Sequence, residues 1–206
     1  VFNAYMTLSG AVDADFVRDE PLSRRTSYRI GGPAALVAHV RDYAALARTV
    51  EVLADEGVRW VVLGKGTNVL ADDAGYDGCV ILLEGEFARV NVSVEDRAGL
   101  SGIEPCVGVP GTFGGAISMN AGSRREWIGR RVRDLVVYRP GEGMHRYEGG
   151  EIEWGYRATS IPTSEVILEA TLSLMPADKD AIAADMDARL RRRRQSQPLS
   201  HPSWGS

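Results

Sequence analysis

The chain has 206 residues, 44% hydrophobic and 25% charged, with a formal net charge of −4. That length and apolar content support a buried core in one or two domains, and the acidic balance argues against a general nucleic-acid binder. No apolar run approaches the roughly 20 residues of a membrane span, the N-terminus lacks the basic and apolar stretches of a signal peptide, and Cys79 and Cys106 have no His or Cys at metal-ligand spacing, so a cytoplasmic protein with reduced thiols and no metal is expected.

In chain order, Leu46, Val50, Leu53 and Ala54 recur at helical spacing between Asp42 and Gly57, which predicts an amphipathic helix over 42–57 with Asp42 as its N-cap. Residues 60–63, WVVL, read as a short buried strand that runs straight into Gly64-Lys65-Gly66-Thr67-Asn68, a glycine turn at a strand end. Residues 69–77 show no helical period, and 79–83 read as another buried strand. A Rossmann turn needs GxGxxG opening into a helix, and a Walker loop needs its lysine after the second glycine with Ser or Thr following. The sequence GKGTNV meets neither requirement. The remaining option is an α+β flavin fold with glycine turns between strands.

The stretch 108–122, GVPGTFGGAISMNAG, holds five glycines and few side chains capable of chemistry, so its function would lie in its backbone. A tight buried turn is the competing reading; Asn120 adds a polar group suited to orienting a ligand. Residues 134–138, 149–154 and 166–175 are predicted strands of a mixed or antiparallel sheet. From Asp178, the spacing of Ile182, Met186 and Leu190 predicts a helix that ends in Arg191–Arg194, solvated cations that complement the helix dipole, before Pro198 and Pro202 stop it.

Five segments occur in order: Tyr28-Arg29-Ile30-Gly31-Gly32-Pro33-Ala34, then LGKGTNVL at 63–70, the glycine-rich 108–122, Trp154-Gly155-Tyr156-Arg157, and QPLSHPSWGS at 197–206. Together they resemble the patterns IGGPA, LGxGSNxL, GxPGxxGGAxxMNAG, FGYR and QPLxxPSxGS of the UDP-N-acetylenolpyruvoylglucosamine reductase (MurB) family, over nearly the whole chain. The resemblance implies an FAD-binding fold of the PCMH/VAO type, α+β in two subdomains at 1–72 and 73–176, with a substrate-binding domain starting at 177–206. It further implies a monomeric enzyme of peptidoglycan precursor synthesis, with FAD as cofactor and NADPH as co-substrate. NADPH reduces the flavin, which then delivers hydride to the enolpyruvyl double bond of a UDP-sugar, giving UDP-N-acetylmuramate.

By the same resemblance, FAD would be held by Gly64, Lys65, Gly66, Thr67, Asn68, Val69 and Leu70, and by Gly108, Pro110, Gly111, Thr112, Gly114, Gly115, Ala116, Asn120, Ala121 and Gly122, with backbone N–H groups toward the pyrophosphate. Arg157 matches the family's catalytic arginine, whose guanidinium would bind the enolpyruvyl carboxylate and favour the developing enolate. Tyr156 would line the substrate site or simply pack, and Ser206 matches the serine that protonates the enolate carbon.

The chain also departs from the pattern. Arg25-Thr26 stands where Asn-Thr is usual, Lys65 occupies a position often held by a small residue, and the interval between Leu83 and Leu100 is shorter. The family's catalytic glutamate and much of its substrate domain have no counterpart within the 206 residues, and the start at Val1 and the turn-like end point to incomplete termini. Two further readings stay open at this level: a flavin oxidase of the same fold, and a non-catalytic flavin-binding module.

Overall fold

The computed structural model describes residues 1–92, 99–123 and 125–197. Among these residues two compact units emerge: Val1–Val90 together with Tyr138–Gly143, and Asn91–Val137 together with 144–197.

The first unit opens with helix α1, Phe2–Leu8, which buries Ala4 and Leu8. Strand β1, Ala14–Pro21, pairs antiparallel with β2, Pro33–Val40. Asp42 then caps helix α2, Tyr43–Asp55, by accepting a hydrogen bond from the Ala45 amide at 2.7 Å. The predicted stripe is the buried one, with Leu46, Val50 and Leu53 nearly inaccessible, and Gly57, at φ 63°, closes the helix by donating to the Ala54 carbonyl. Strands β3, Trp60–Val62, and β4, Tyr76–Leu83, complete a sheet of order β1-β2-β4-β3, in which β4 runs parallel to both β2 and β3.

Alternation along these strands sorts the side chains. Val37, Val80 and Leu82 share one face and pack with Leu22, Ala34 and Leu63, whereas Leu36, Ala38, Val40 and Ile81 are buried on the other. Each such fully buried Leu, Ile or Val contributes about 1.5–3 kcal/mol. Because β4 lies between β2 and β3 in this sheet, the compact unit runs on to Val90, past the 72/73 division expected from the sequence.

The second unit contains β5, Gly99–Ser101, and a single-turn 3-10 helix, Glu104–Cys106. Helix α3, Phe113–Ser118, lies inside the glycine-rich stretch, which the sequence reading left without a helix, and is capped by the Thr112 hydroxyl accepting from Gly115 N at 3.2 Å. After a 3-10 turn at Ile128–Arg131 come β6, Val132–Arg139, and β7, Gly143–Glu148. The strand expected over 149–154 is not there: Gly149–Glu151 form a 3-10 turn closed by a capping box, with Glu148 N donating to Glu151 Oε2 at 2.7 Å.

Two short strands follow, β8, Trp154–Gly155, and β9, Ala158–Thr159, paired as a hairpin. The expected strand 166–175 is two: β10, Val166–Leu172, joins the sheet β10-β6-β7, and β11, Met175–Ala177, pairs with β5. Ile117, Ile128, Val132, Leu135 and Ile152 form the core of this unit, with Trp154, Ile167 and Leu172 packed against it.

Helix α4, Lys179–Ser196, starts at the predicted cap, Asp178, and has no buried residue. Ile182 sits over Gly99 and Leu190 over Gly108, where an added Cβ would stand 2.7 Å and 2.8 Å from their side chains. Among the described residues no helix is long and apolar enough to cross a membrane.

Candidate functional site

In the first unit, the chain leaves β3 through buried Leu63 into the loop 64–70, where Gly64, Lys65, Asn68, Val69 and Leu70 are exposed, Thr67 is half-buried and Gly66 is buried. Gly66 has φ 59°, and a Cβ there would collide with the Arg25 carbonyl oxygen. Ser27 N donates to Gly66 O at 3.0 Å, so the loop rests directly on the main chain of 25–27. Gly31 and Gly32 serve a similar end: Gly32 N donates to Asp72 O at 2.8 Å, and its bare α-carbon lies against Asp73. The result is a loop whose inner side is locked by backbone contacts and whose outer side presents main chain to solvent.

In the second unit, the glycine-rich stretch divides by role. A Cβ at Gly114 would meet nothing within 4 Å, and one at Gly115 only Thr112 Oγ1, so the start of α3 presents open backbone. Gly108 instead lies beneath Leu190 of α4, and Gly122 is required by a turn in which Ser123 N donates to Glu126 O at 2.6 Å. Pro110 and Thr112 are exposed, and Gly111 and Ala116 half-buried. Ala121 turns inward, 7% exposed, with its carbonyl accepting from Ile128 N at 2.8 Å.

Asn120 also turns inward, at 4% exposure and φ 43°. Its Nδ2 donates to Gly155 O at 2.8 Å and its Oδ1 accepts from Gly129 N at 3.2 Å. The side chain expected to orient a ligand therefore orients the β8–β9 turn.

That turn carries Tyr156 and Arg157, which with Asn120, Ser123, Trp127, Trp154 and Gly155 line a cavity of about 480 Å³. Arg157 has φ 57°, a left-handed conformation costly for a non-glycine residue and often found at functional sites. Its Nη1 donates to Gly122 O at 3.1 Å, and its guanidinium carbon lies 5.2 Å from the Tyr156 ring centroid. Among the described residues no carboxylate pairs with Arg157. The cavity thus has a cation held by a carbonyl and an aromatic face, with no counter-ion among the described residues, which suits an anionic ligand.

Trp127 and Ser123 are cavity residues that the sequence reading missed. Trp127 packs face-on under Arg130, 4.0 Å from the guanidinium carbon to the ring centroid, and reaches the cavity because the turn after Gly122 doubles back in a Gly122–Trp127 bridge. A lone tryptophan with no periodic partners gives no such signal in sequence. Ser206 lies outside the described residues.

A second cavity, about 320 Å³, borders α4. Its acids are already engaged: Glu104 accepts from Gly102 N at 2.7 Å, and Arg189 pairs with Asp185 at 2.8 Å and Glu126 at 3.0 Å.

Two other groups are perturbed by their surroundings. Burial alone would raise the Asp134 carboxyl, but hydrogen bonds from Arg133 and Thr171 and the charges of Arg146 and Arg133 hold it below the usual range. Burial pushes the Cys79 thiol up to about 12 and raises Cys106 as well, against the opposing charge of Arg193.

No family model matches the chain. Among curated proteins, it is 36% identical over 207 residues to UDP-N-acetylenolpyruvoylglucosamine reductase 2 of Symbiobacterium thermophilum, covering 92% of this chain and 67% of the relative. It is 35% identical over 219 residues to UDP-N-acetylenolpyruvoylglucosamine reductase of Geobacter metallireducens, covering 98% and 73%. The chain belongs to the UDP-N-acetylenolpyruvoylglucosamine reductase family. Among solved structures, this member of the reductase family is similar to MurB from Thermus caldophilus, with TM-score 0.76 and 30% identity over 93% of this chain and 73% of that one. Cholesterol oxidase from Brevibacterium sterolicum, at TM-score 0.53 and 10% identity over 80% of this chain and 38% of that one, shares the fold alone. The α+β fold of the PCMH/VAO type expected from the sequence is therefore the one this reductase-family chain adopts.

Proposed function

We propose that this chain carries the FAD-binding part and the carboxylate-binding arginine of a cytoplasmic UDP-N-acetylenolpyruvoylglucosamine reductase. The enzyme would use NADPH to reduce the enolpyruvyl group of the UDP-sugar to UDP-N-acetylmuramate, a peptidoglycan precursor. The observation that carries this reading is the Arg157 guanidinium, held by Gly122 O at 3.1 Å beside a cavity of about 480 Å³ and without a carboxylate partner among the described residues.

The residues present fit FAD. Loop 64–70 exposes main chain while its inner side is fixed, and Gly114 and Gly115 leave open the space that side chains would fill. Both segments offer neutral N–H donors suited to a pyrophosphate. When bound, the flavin supplies hydride to the substrate carbon. Arg157 binds the substrate carboxylate and stabilises the enolate charge as it develops, Tyr156 covers the guanidinium, and Asn120 holds the turn that carries both. Ser206, by family resemblance, gives the proton to the enolate carbon.

The test is twofold. Purified protein should take up FAD, seen as flavin absorbance that survives desalting, and should oxidise NADPH only when the enolpyruvyl UDP-sugar is present. Failure to take up FAD refutes the cofactor assignment, whereas flavin reduction with rapid reoxidation by oxygen and no response to the sugar refutes the reductase. FAD uptake without any NADPH oxidation leaves a flavin-binding module.

A further inference from the structure

Four side chains of the first unit form a continuous chain of contacts that meets the loop 64–70 at Arg25, whose carbonyl oxygen lies against Gly66. Glu20, near the end of β1, accepts from Arg25 Nε at 2.8 Å. Arg25 Nη2 lies 3.2 Å from Nε2 of His39, on β2, and His39 Nδ1 lies 2.7 Å from Glu84 Oε1, just after β4. Glu20 is 7% exposed, and its second oxygen is buried without a partner among the described residues.

The chemistry of these groups fixes the protons. A guanidinium is always charged and can only donate. His39 Nε2 must therefore accept from Arg25, its one proton must sit on Nδ1, and that proton is donated to the Glu84 carboxylate. The ring is neutral, in a tautomer dictated from both sides.

Arg25 is also the residue on which the loop rests. Gly66 packs against its carbonyl oxygen, and Ser27 N donates to Gly66 O at 3.0 Å. Glu20 and His39 hold the Arg25 side chain, and its main chain in turn supports Gly66. We propose that neutral His39 is a positioning residue for the flavin pyrophosphate loop, acting through Arg25; this rests on the assignment of loop 64–70 to FAD.

The coupling has a sign in pH. A second proton on His39 turns Nε2 into a donor aimed at the guanidinium, which breaks that hydrogen bond and sets two like charges together. The charged groups on the same side of the sheet are Arg25 and Glu84 in direct contact, Glu20 beyond Arg25, and Asp15, opposite His39 across β1, which is engaged with Arg41 along with Asp13. Acid should therefore loosen the loop.

The test uses flavin-stripped full chain and FAD itself, with the dissociation constant followed by flavin fluorescence from about pH 8 to about pH 5.5. Loss of one charge-assisted hydrogen bond corresponds to about tenfold in affinity. Wild type should weaken about tenfold toward acid. His39→Gln, whose amide can accept from Arg25 and donate to Glu84 without titrating, should bind FAD as wild type does at pH 8 and lose the pH dependence. His39→Leu should bind about tenfold more weakly at both ends.

Nitrogen-15 shifts of His39 in the flavin-free chain should report the Nδ1–H tautomer near pH 8. An Nε2–H tautomer, an unchanged pH profile in His39→Gln, or wild-type affinity in His39→Leu at pH 8 each overturn the proposal. Wild type that binds no FAD at any pH overturns the loop assignment and this inference with it; FAD binding indifferent to His39 overturns this inference alone.

Discussion

Replacing Asn120 with alanine should both weaken the second unit and release the turn that carries Arg157. Two hydrogen bonds vanish, a buried one from Gly129 N to Oδ1 at 3.2 Å and a part-buried one from Nδ2 to the exposed Gly155 O at 2.8 Å. Leaving the buried Gly129 N unsatisfied costs about 1–3 kcal/mol, and losing the bond to the exposed Gly155 O costs its net worth of about 0.5–1.5 kcal/mol. Alanine is also less tolerant than asparagine of φ 43°, adding about 1 kcal/mol. The sum, about 2.5–5.5 kcal/mol, is a large share of the 5–15 kcal/mol typical of a folded domain. In urea, the midpoint of the transition followed by tryptophan fluorescence should fall by about 1–2 M, with the slope unchanged. Trp127 and Trp154 line the cavity beside Asn120 and make the probe local. Asn120→Gly keeps the backbone conformation and should lose about 1.5–4.5 kcal/mol, the hydrogen-bond part alone. A midpoint shift below about 0.3 M in both variants would refute the clamp.

Arg157→Lys keeps the charge but cannot hold Gly122 O and a carboxylate in one plane, so substrate-dependent flavin reoxidation should fall by about 10²–10³ while FAD affinity changes less than about threefold; stopped-flow reoxidation and FAD titration separate the two, and parallel losses would make Arg157 structural. Asp134 is held ionised, so its stabilisation is complete above the ordinary carboxylate range and is lost as pH falls through the lowered folded value. Asp134→Asn should have a lower urea midpoint at neutral pH and a shallower decline between about pH 5 and about pH 3 than wild type; equal slopes would refute the assignment. Cys79, raised to about 12, should resist a thiol reagent at about pH 8 until the chain unfolds. Its neutral thiol stabilises the fold below the unfolded thiol's range, and that contribution is lost as pH rises toward 12. Reaction of Cys79 in native protein, read by mass spectrometry of the labelled peptide, would refute its burial.

Helix α2 was legible because Asp42, Leu46, Val50 and Leu53 each had one local job, and the structure uses all of them for it. Helix α4 was legible for its cap and its arginine-rich end, but its contacts were not, since what Ile182 and Leu190 touch are glycines far away in sequence. The strand expected over 149–154 failed because Gly149-Gly150 between two glutamates favours a capped turn over a ladder. At the site, Arg157 and the glycine segments were recognisable from motif order. The inward turn of Asn120 was not, because the groups it bonds, Gly129 N and Gly155 O, belong to the backbone and leave no trace in side-chain pattern. Nor could spacing reveal that Arg25, a departure from the family's usual asparagine, sits between Glu20 and His39.

The seating of α4 has a consequence for how this chain can vary. The helix buries no residue of its own, so little free energy opposes its lifting away, and its amide protons should exchange well before those of β6. What keeps it in register is a pair of dimples, Gly99 under Ile182 and Gly108 under Leu190. A methyl group at either one would meet the movable tip of the side chain facing it, and at Gly108, where φ is 70°, it would also strain the backbone. Gly108 is thus answerable to its own backbone conformation as well as to the helix beside it, and random alanine substitution should find 108 intolerant even where flavin binding is not selected.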